Sequence, residues 1–302
     1  MPHRPASIVN VPLNPQTQMP AIPSVGPTRT QDLAVSFCTT CMNRLDHLRE
    51  TLPVNLDVLR RHGPSAELVV LDYGSTDGMR EWIEQTQRPA IDAGLLAVYH
   101  VSEPRWYHSA HAKNVAHRLS RYGVVCNLDA DNFLSSDYVA FLTRTFADGG
   151  PHVTYGTRSS CGRVAIRARD FESLGGYDES FEGWGTDDVD LVRRAAAALK
   201  IRPRRAARYN RFISHSDELR TQHMQQKDMA ASKSANVARM RRNLAARRLT
   251  ANLDRSWGDA MVAPNYDATR RFRTIDRLDS SQDATLPAMQ TDFESNTAIS
   301  RE

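Results

Sequence analysis

Two short runs gather carboxylates where they can act together. Asp129-Ala130-Asp131, a D-x-D pattern, closes the apolar run Val124-Val125-Cys126-Asn127-Leu128. Residues i and i+2 of an extended chain point the same way, so Asp129 and Asp131 share a face. Like charges placed together repel, and a divalent cation removes that cost; hard oxygen ligands suit Mn2+ or Mg2+. A metal held there can bridge a diphosphate and stabilise it as a leaving group. The second run is Gly183-Trp184-Gly185-Thr186-Asp187-Asp188-Val189-Asp190. Thr186 suits a helix N-cap, which puts Asp187, Asp188 and Asp190 in the first turn. Acids at a helix start stabilise it by about 0.3–1 kcal/mol each. That accounts for one or two of them, but not for a glycine-flanked tryptophan just ahead. The chemical reading is a carboxylate poised as general base beside a flat apolar surface for a sugar ring, a device that contributes about 10²–10⁴-fold to a rate.

These runs need a frame. From Leu33 short apolar runs alternate with amphipathic stretches. Strands are expected at Leu33–Phe37, Glu67–Leu71, Leu95–Val101 and Val124–Leu128, and helices at Arg44–Arg61, Asp77–Gln87, His108–Arg121 and Ser136–Phe146. Further strands are expected at His152–Gly156 and Gly162–Arg167, then a glycine-rich loop over Phe171–Thr186 and a helix at Asp187–Leu199. The alternation predicts an α/β sheet, largely parallel, with helices on both faces. Ligands of such sheets bind beyond the carboxyl ends of strands. Asp72, in Leu71-Asp72-Tyr73-Gly74-Ser75-Thr76-Asp77-Gly78, sits at one such end; its carboxylate can accept a base N–H or a ribose hydroxyl, and Asp77 can cap the next helix.

Composition bounds the rest. The chain has 302 residues, 40% of them hydrophobic and 25% charged, which excludes collagenous, disulfide-dense and wholly disordered classes. The longest uncharged apolar run, near Leu33–Met42, falls well short of the roughly 20 residues a membrane-spanning helix needs. Residues 1–31 read as a flexible leader without a secretory signal, 32–217 as the catalytic domain, 218–258 as a helical extension and 259–302 as a loosely structured tail. Net charge is +4, mild enough to suit an anionic ligand without itself indicating nucleic acid. Four cysteines (Cys38, Cys41, Cys126 and Cys161) make no disulfide framework, and a reducing cytoplasm is the simpler compartment. Cys38-x-x-Cys41 has no second Cys pair to complete a zinc site. His108 and His111 have metal-compatible spacing but suit packing equally, and Trp257-Gly258 reads as a segment packed back onto the domain.

In order and spacing, Phe37–Arg44, Leu71–Gly78, Ala112–Ala116, Asp129–Asp131, Gly183–Asp190 and Phe212–Ser216 together resemble the glycosyltransferase family 2-like enzymes of the GT-A fold. The later half is most similar to the galactosyltransferase and chondroitin-polymerase branch. The resemblance covers about Leu33 to Asp217. It implies that Thr39, Thr40, Arg44 and Asp72 hold the base and ribose of a nucleotide-sugar, UDP-linked by preference, and that Lys113 and Asn114 lie along it. It implies Asp129, with Ala130 between the two acids, against ribose or sugar, Asp131 and His215 on Mn2+ or Mg2+, and Trp184 against a sugar. Asp188 matches the base that deprotonates the acceptor hydroxyl in inverting members, and Asp187 the acid beside it. Galactosyltransferases place a methionine ligand three residues before the histidine; here that position is Phe212. The acceptor is left open among a glycan, a protein, a small molecule and a modified DNA base. The alternative is a binding protein without catalysis, holding a polyanion or nucleic acid through Lys200–Arg211 and Arg239–Arg248.

Overall fold

The structure is a computed structural model that describes residues 33–276, apart from 64, 103, 157–161 and 210. The expected leader, Cys161 and the final part of the expected tail lie outside the described residues. In chain order the elements are β1 (Val35–Cys41), α1 (Leu45–His62), β2 (Ala66–Asp72), α2 (Met79–Thr86), α3 (Arg88–Asp92), β3 (Leu96–Val101), α4 (Ser109–Arg118), β4 (Val124–Asn127) and α5 (Ser136–Phe146). Then follow β5 (Val153–Tyr155), β6 (Ala165–Arg167), α6 (Ala168–Ser173), α7 (Asp187–Ala198), β7 (Arg204–Arg205), α8 (Asp217–Thr221), α9 (Met229–Ala245), β8 (Met261–Pro264) and β9 (Phe272–Arg273).

Among the described residues these strands form one nine-stranded sheet in the order β7-β5-β6-β4-β1-β2-β3-β8-β9. Its centre, β4-β1-β2-β3, is parallel, and β6 and β8 run antiparallel at its two flanks. Every residue of β2 is buried, as a parallel strand covered on both faces requires. Strand order reverses between β1 and β4, so a crevice opens beyond their carboxyl ends. Thr40 and Asp129 stand at its mouth.

Strand β1 runs four residues further than its apolar pattern suggests, because its parallel pairing with β2 continues to Cys41 opposite Asp72. Cys38 and Cys41 face opposite sides of it, in separate core clusters. Burial pushes both thiols up, so the Cys-x-x-Cys spacing makes neither a zinc pair nor a reactive thiol. The stretch from 259 was expected to be loose, yet Met261–Pro264 pairs with β3 and carries β9 beside it. Val262 is fully buried there and Ala263 nearly so, too short an apolar run to stand out in the sequence. Trp257 does pack back, with the Arg118 guanidinium 3.5 Å over its ring. No helix among the described residues is long and apolar enough to cross a membrane.

Candidate active site

Buried polar side chains of the first helix fix the acidic turn after β4. Thr51 Oγ1 donates to Ala130 O at 2.7 Å, and Asn55 Nδ2 donates to Asn132 O at 3.0 Å. Thr39 Oγ1 donates to Leu128 O at 2.8 Å from the neighbouring strand. Asn127 Nδ2 donates to Asp129 Oδ1 at 2.9 Å. A side chain at Gly162 would put its Cβ 2.7 Å from Asp129 Oδ2, so glycine is needed for this close approach.

The turn then pairs with a distant segment. Ile213 N donates to Asp131 O at 2.8 Å and Phe133 N donates to Arg211 O at 2.9 Å. Two residues beyond Ile213, His215 Nε2 lies 2.5 Å from Asp131 Oδ2. Asn132 Nδ2 holds the other carboxylate oxygen, Oδ1, at 2.5 Å. Burial alone would raise the Asp131 carboxyl, but the hydrogen bonds from His215 and Asn132 hold it below its usual range. Asp129 is pushed up, chiefly by burial and also by Asp131, against the pull of Lys113.

Opposite stands the start of α7. Lys113, on α4, sends Nζ to Asp187 Oδ2 at 2.8 Å and Asp188 Oδ1 at 2.7 Å, and Ser109 Oγ donates to Asp187 Oδ2 at 2.9 Å. The neighbours therefore titrate apart. Asp187 is held low because Lys113 and Ser109 outweigh its burial. Asp188 is pushed up to about 7 by burial and by Asp187, against Lys113. A pair of carboxyls separated in this way is how one site holds an ionised anchor beside a group that can exchange a proton near neutrality. Asp190 takes no part: it pairs with buried Arg194 at 2.6 Å. Thr186 occupies the N-cap position but makes no side-chain cap; its backbone is left-handed, φ 82°, a strained conformation for a β-branched residue.

One cavity of about 520 Å3 joins the two walls. It is lined by Thr40, Arg44, Lys113, Asp129, Ala130, Asp131, Trp184, Asp187, Asp188 and His215. Three expected residues lie behind it. Asp72, 1% exposed, accepts from Ser75 N at 2.8 Å and lies 3.2 Å from His100 Nδ1. Thr39 is spent on Leu128 O. Asn114 pins the glycine-rich loop, accepting from Tyr177 N at 2.8 Å and donating to Tyr177 O at 2.9 Å. A Cβ on Gly176, at φ +64°, would meet Asn114 Oδ1 at 2.5 Å.

Sequence reasoning missed a third wall. Ser232 and Asn236 of α9 are buried and grip the Trp184 loop. Trp184 N donates to Ser232 Oγ at 3.2 Å, and Asn236 Nδ2 donates to Glu182 O at 2.9 Å and Gly185 O at 3.0 Å. Lys233, Val237, Met240 and Arg241 line the cavity from the same helix. Their spacing, i, i+4, i+7 and i+8, was readable as one helix face, but nothing local said what it faced. Among the described residues of Lys200–Arg211, none lines the cavity.

A divalent ion can be tested against these donors. Among the described residues no three His, Cys, Asp or Glu side chains stand together as a metal cage. The Asp131–His215 pair, an imidazole nitrogen hydrogen-bonded to a carboxylate oxygen at 2.5 Å beside the cavity, has the donor types that suit such an ion, which would replace the shared proton and need further ligands from outside these two side chains.

Residues 142–217 match the family described as the N-terminal domain of galactosyltransferase. That segment contains Asp187, Asp188 and His215 but not Asp129 or Asp131, and it spans less than half of the chain. Staphylococcus aureus TarS 1–349 is similar over 73% of this chain and 66% of that one, at 14% identity and a TM-score of 0.51. TarS 1–349 in complex with UDP is similar over 73% and 67%, at 13% identity and a TM-score of 0.51. The fold is that of the GT-A glycosyltransferases. The Pyrobaculum calidifontis mannosyltransferase PcManGT, in complex with GDP-Man and Mn2+, is 22% identical over 57% of this chain and 54% of that one, with a TM-score of 0.49. The chain thus spans about half to two thirds of the length of these structures. No curated protein matches it in sequence. The family match and the GT-A fold together support a transferase enzyme.

Proposed function

We propose that the protein is a glycosyltransferase that moves a sugar from a nucleotide-sugar, UDP-linked by preference, to an acceptor hydroxyl with inversion at the anomeric carbon. The observation that carries this reading is the single cavity that Asp131 and His215 line on one side and Trp184, Asp187 and Asp188 on another. Asp188 takes the proton from the acceptor hydroxyl. The oxygen then attacks the anomeric carbon, the bond from that carbon to the diphosphate oxygen breaks, and the electron pair leaves with the nucleoside diphosphate. One base and one displacement suffice, which is why inversion is expected. Lys113 keeps Asp187 ionised and restrains the upward shift of Asp188, so the base is deprotonated slightly above neutral pH. Trp184 offers a flat face to a sugar ring, and Arg44 and Thr40 line the donor side of the cavity.

Asp131 and His215 would hold Mn2+ or Mg2+, with Asp129 on the same turn toward ribose or sugar. When bound, the ion offsets negative charge on the leaving diphosphate. The free thiols among the described residues, Cys38, Cys41 and Cys126, suit a reducing cytoplasm.

The deciding experiment incubates the purified chain with Mn2+ and a panel of nucleotide-sugars and measures nucleoside diphosphate release. Turnover should be seen with at least one donor, and Asp188→Asn should lower it by about 10²–10⁴-fold while the variant still binds the donor. Full turnover in Asp188→Asn would refute the base assignment.

A further inference from the structure

From Leu191 to Ser216 the chain contains no acidic residue, yet Lys200, Arg202, Arg204, Arg205, Arg208 and Arg211 follow one another closely there. All six residues are exposed, and none forms an ion pair with a carboxylate among the described residues. Arg204 and Arg205 make up β7, at the outer edge of the sheet, opposite Thr154 and Tyr155 of β5. Successive residues of a strand point to opposite faces, so these two carry charge to both sides of that edge. Arginines on a short edge strand also guard it against pairing with other chains. That accounts for Arg204 and Arg205, but Lys200, Arg202, Arg208 and Arg211 lie outside the strand.

Two of the outer arginines are packed on rings. Arg208 Cζ stands 4.9 Å from the Tyr209 ring centroid, and Arg211 Cζ 4.3 Å from that of Phe133. Stacking uses the flat face of a guanidinium and leaves its in-plane N–H donors for a phosphate. Phe133 N donates to Arg211 O at 2.9 Å, and Ile213 N donates to Asp131 O at 2.8 Å. The strip of cations therefore ends at the acidic turn that lines the cavity.

We infer that this sheet edge is a docking surface for the phosphate backbone of duplex DNA. The arginines bond phosphates without reading bases, beside the cavity rather than inside it. Charge complementarity carries the inference: an exposed, uncompensated cationic strip meets a rod with one negative charge per roughly 1.7 Å of its axis. The other features of the strip select the duplex. Unpaired bases are held by stacking on exposed aromatic faces, whereas Tyr209 and Phe133 are buried. Stable docking on a bilayer takes an apolar anchor besides a polybasic patch. The exposed large hydrophobic residues among those described, Trp106, Val189, Leu219, Leu253 and Met261, all belong to other segments. The inference goes beyond the transfer reaction and makes no use of Asp188.

Fluorescence anisotropy tests it, with a labelled DNA duplex of about 20 base pairs titrated with the full chain between about 50 and 200 mM NaCl. Contacts from Arg202, Arg204, Arg205, Arg208 and Arg211 should make log K fall against log salt with a slope of about −4 to −5. The triple variant Arg202→Gln/Arg205→Gln/Arg208→Gln should make that slope shallower by about 2 to 3 and weaken binding at about 50 mM salt by about tenfold or more. Arg239→Gln/Arg242→Gln/Arg248→Gln removes the same charge from other exposed positions and should change the slope by less than about 1. Thermal unfolding checks that both variants fold, and the wild-type slope tests the inference without any variant. Absence of salt-dependent duplex binding, equal losses in the two triple variants, or tighter binding of a single strand of the same sequence would overturn the inference. So would phosphatidylglycerol vesicles binding through the strip while the duplex does not. Asp188→Asn should bind the duplex as the wild type does, so a failure of docking and a failure of the transfer reading are separate results.

Discussion

Replacing Lys113 with methionine isolates the charge at the centre of this site. The side chain is only 7% exposed, and its ammonium stands 2.8 Å from Asp187 and 2.7 Å from Asp188. Methionine keeps most of the apolar stem, so the loss is electrostatic. Removing one partner of a buried ion pair costs about 3–5 kcal/mol, because the other is left uncompensated. The expected penalty at about pH 8 is of that size. Its pH dependence follows from linkage. Asp188 in the folded wild type titrates at about 7, against an ordinary value of 3.8, and without Lys113 both acids rise further. The folded variant then holds protons that the unfolded chain has already released, so its stability falls as pH rises from about 4 through 7 and beyond. At about pH 5.5 Asp188 is protonated in both proteins and the penalty should shrink by at least half. Urea unfolding followed by tryptophan fluorescence at the two pH values measures it. A penalty below about 1 kcal/mol at pH 8, or one of equal size at both pH values, would refute the reasoning.

Other outcomes follow from the same geometry. Transfer by the wild type should rise with pH through about 7 as Asp188 loses its proton, and Lys113→Met should move that limb to higher pH; a flat profile would contradict the role of Asp188. Asn132→Ala removes the 2.5 Å hydrogen bond that aims Asp131 at His215 and should weaken Mn2+ binding by about 10–100-fold in a titration, whereas unchanged affinity would show that Asp131 needs no such aiming. Asn236→Ala frees the carbonyls of Glu182 and Gly185. It should cost about 1–3 kcal/mol in thermal or urea unfolding and raise the acceptor KM more than the donor KM.

Much of the frame was legible because each central strand is a short apolar run followed by an amphipathic helix, and α5 runs over the expected Ser136–Phe146. The C-terminal strand β8 was not, since its position beside β3 is set by register with Tyr99–Val101 rather than by any pattern of its own. The site divides in the same way. Asp129, Asp131 and the α7 acids stand out by their place after a strand and at a helix start. What separates Asp187 from Asp188 is the ammonium of Lys113, more than seventy residues earlier. His215 reaches Asp131 through the pairing of Ile213 with the acidic turn, a contact no local sequence reports. Asp72 has the position expected of a ligand residue, yet tertiary packing spends its carboxylate on Ser75 and His100.

In the proposed site Asp131 and His215 jointly hold a divalent ion, in the cavity that Asp188 also lines. Electron spin resonance of Mn2+ added to the full chain with UDP tests it most directly, because an imidazole ligand leaves a nitrogen coupling on the manganese signal. Uptake of Mn2+ with that coupling in the wild type, and loss of the coupling in His215→Ala, is the predicted result. Equal uptake by both proteins with no nitrogen coupling in either would contradict the account.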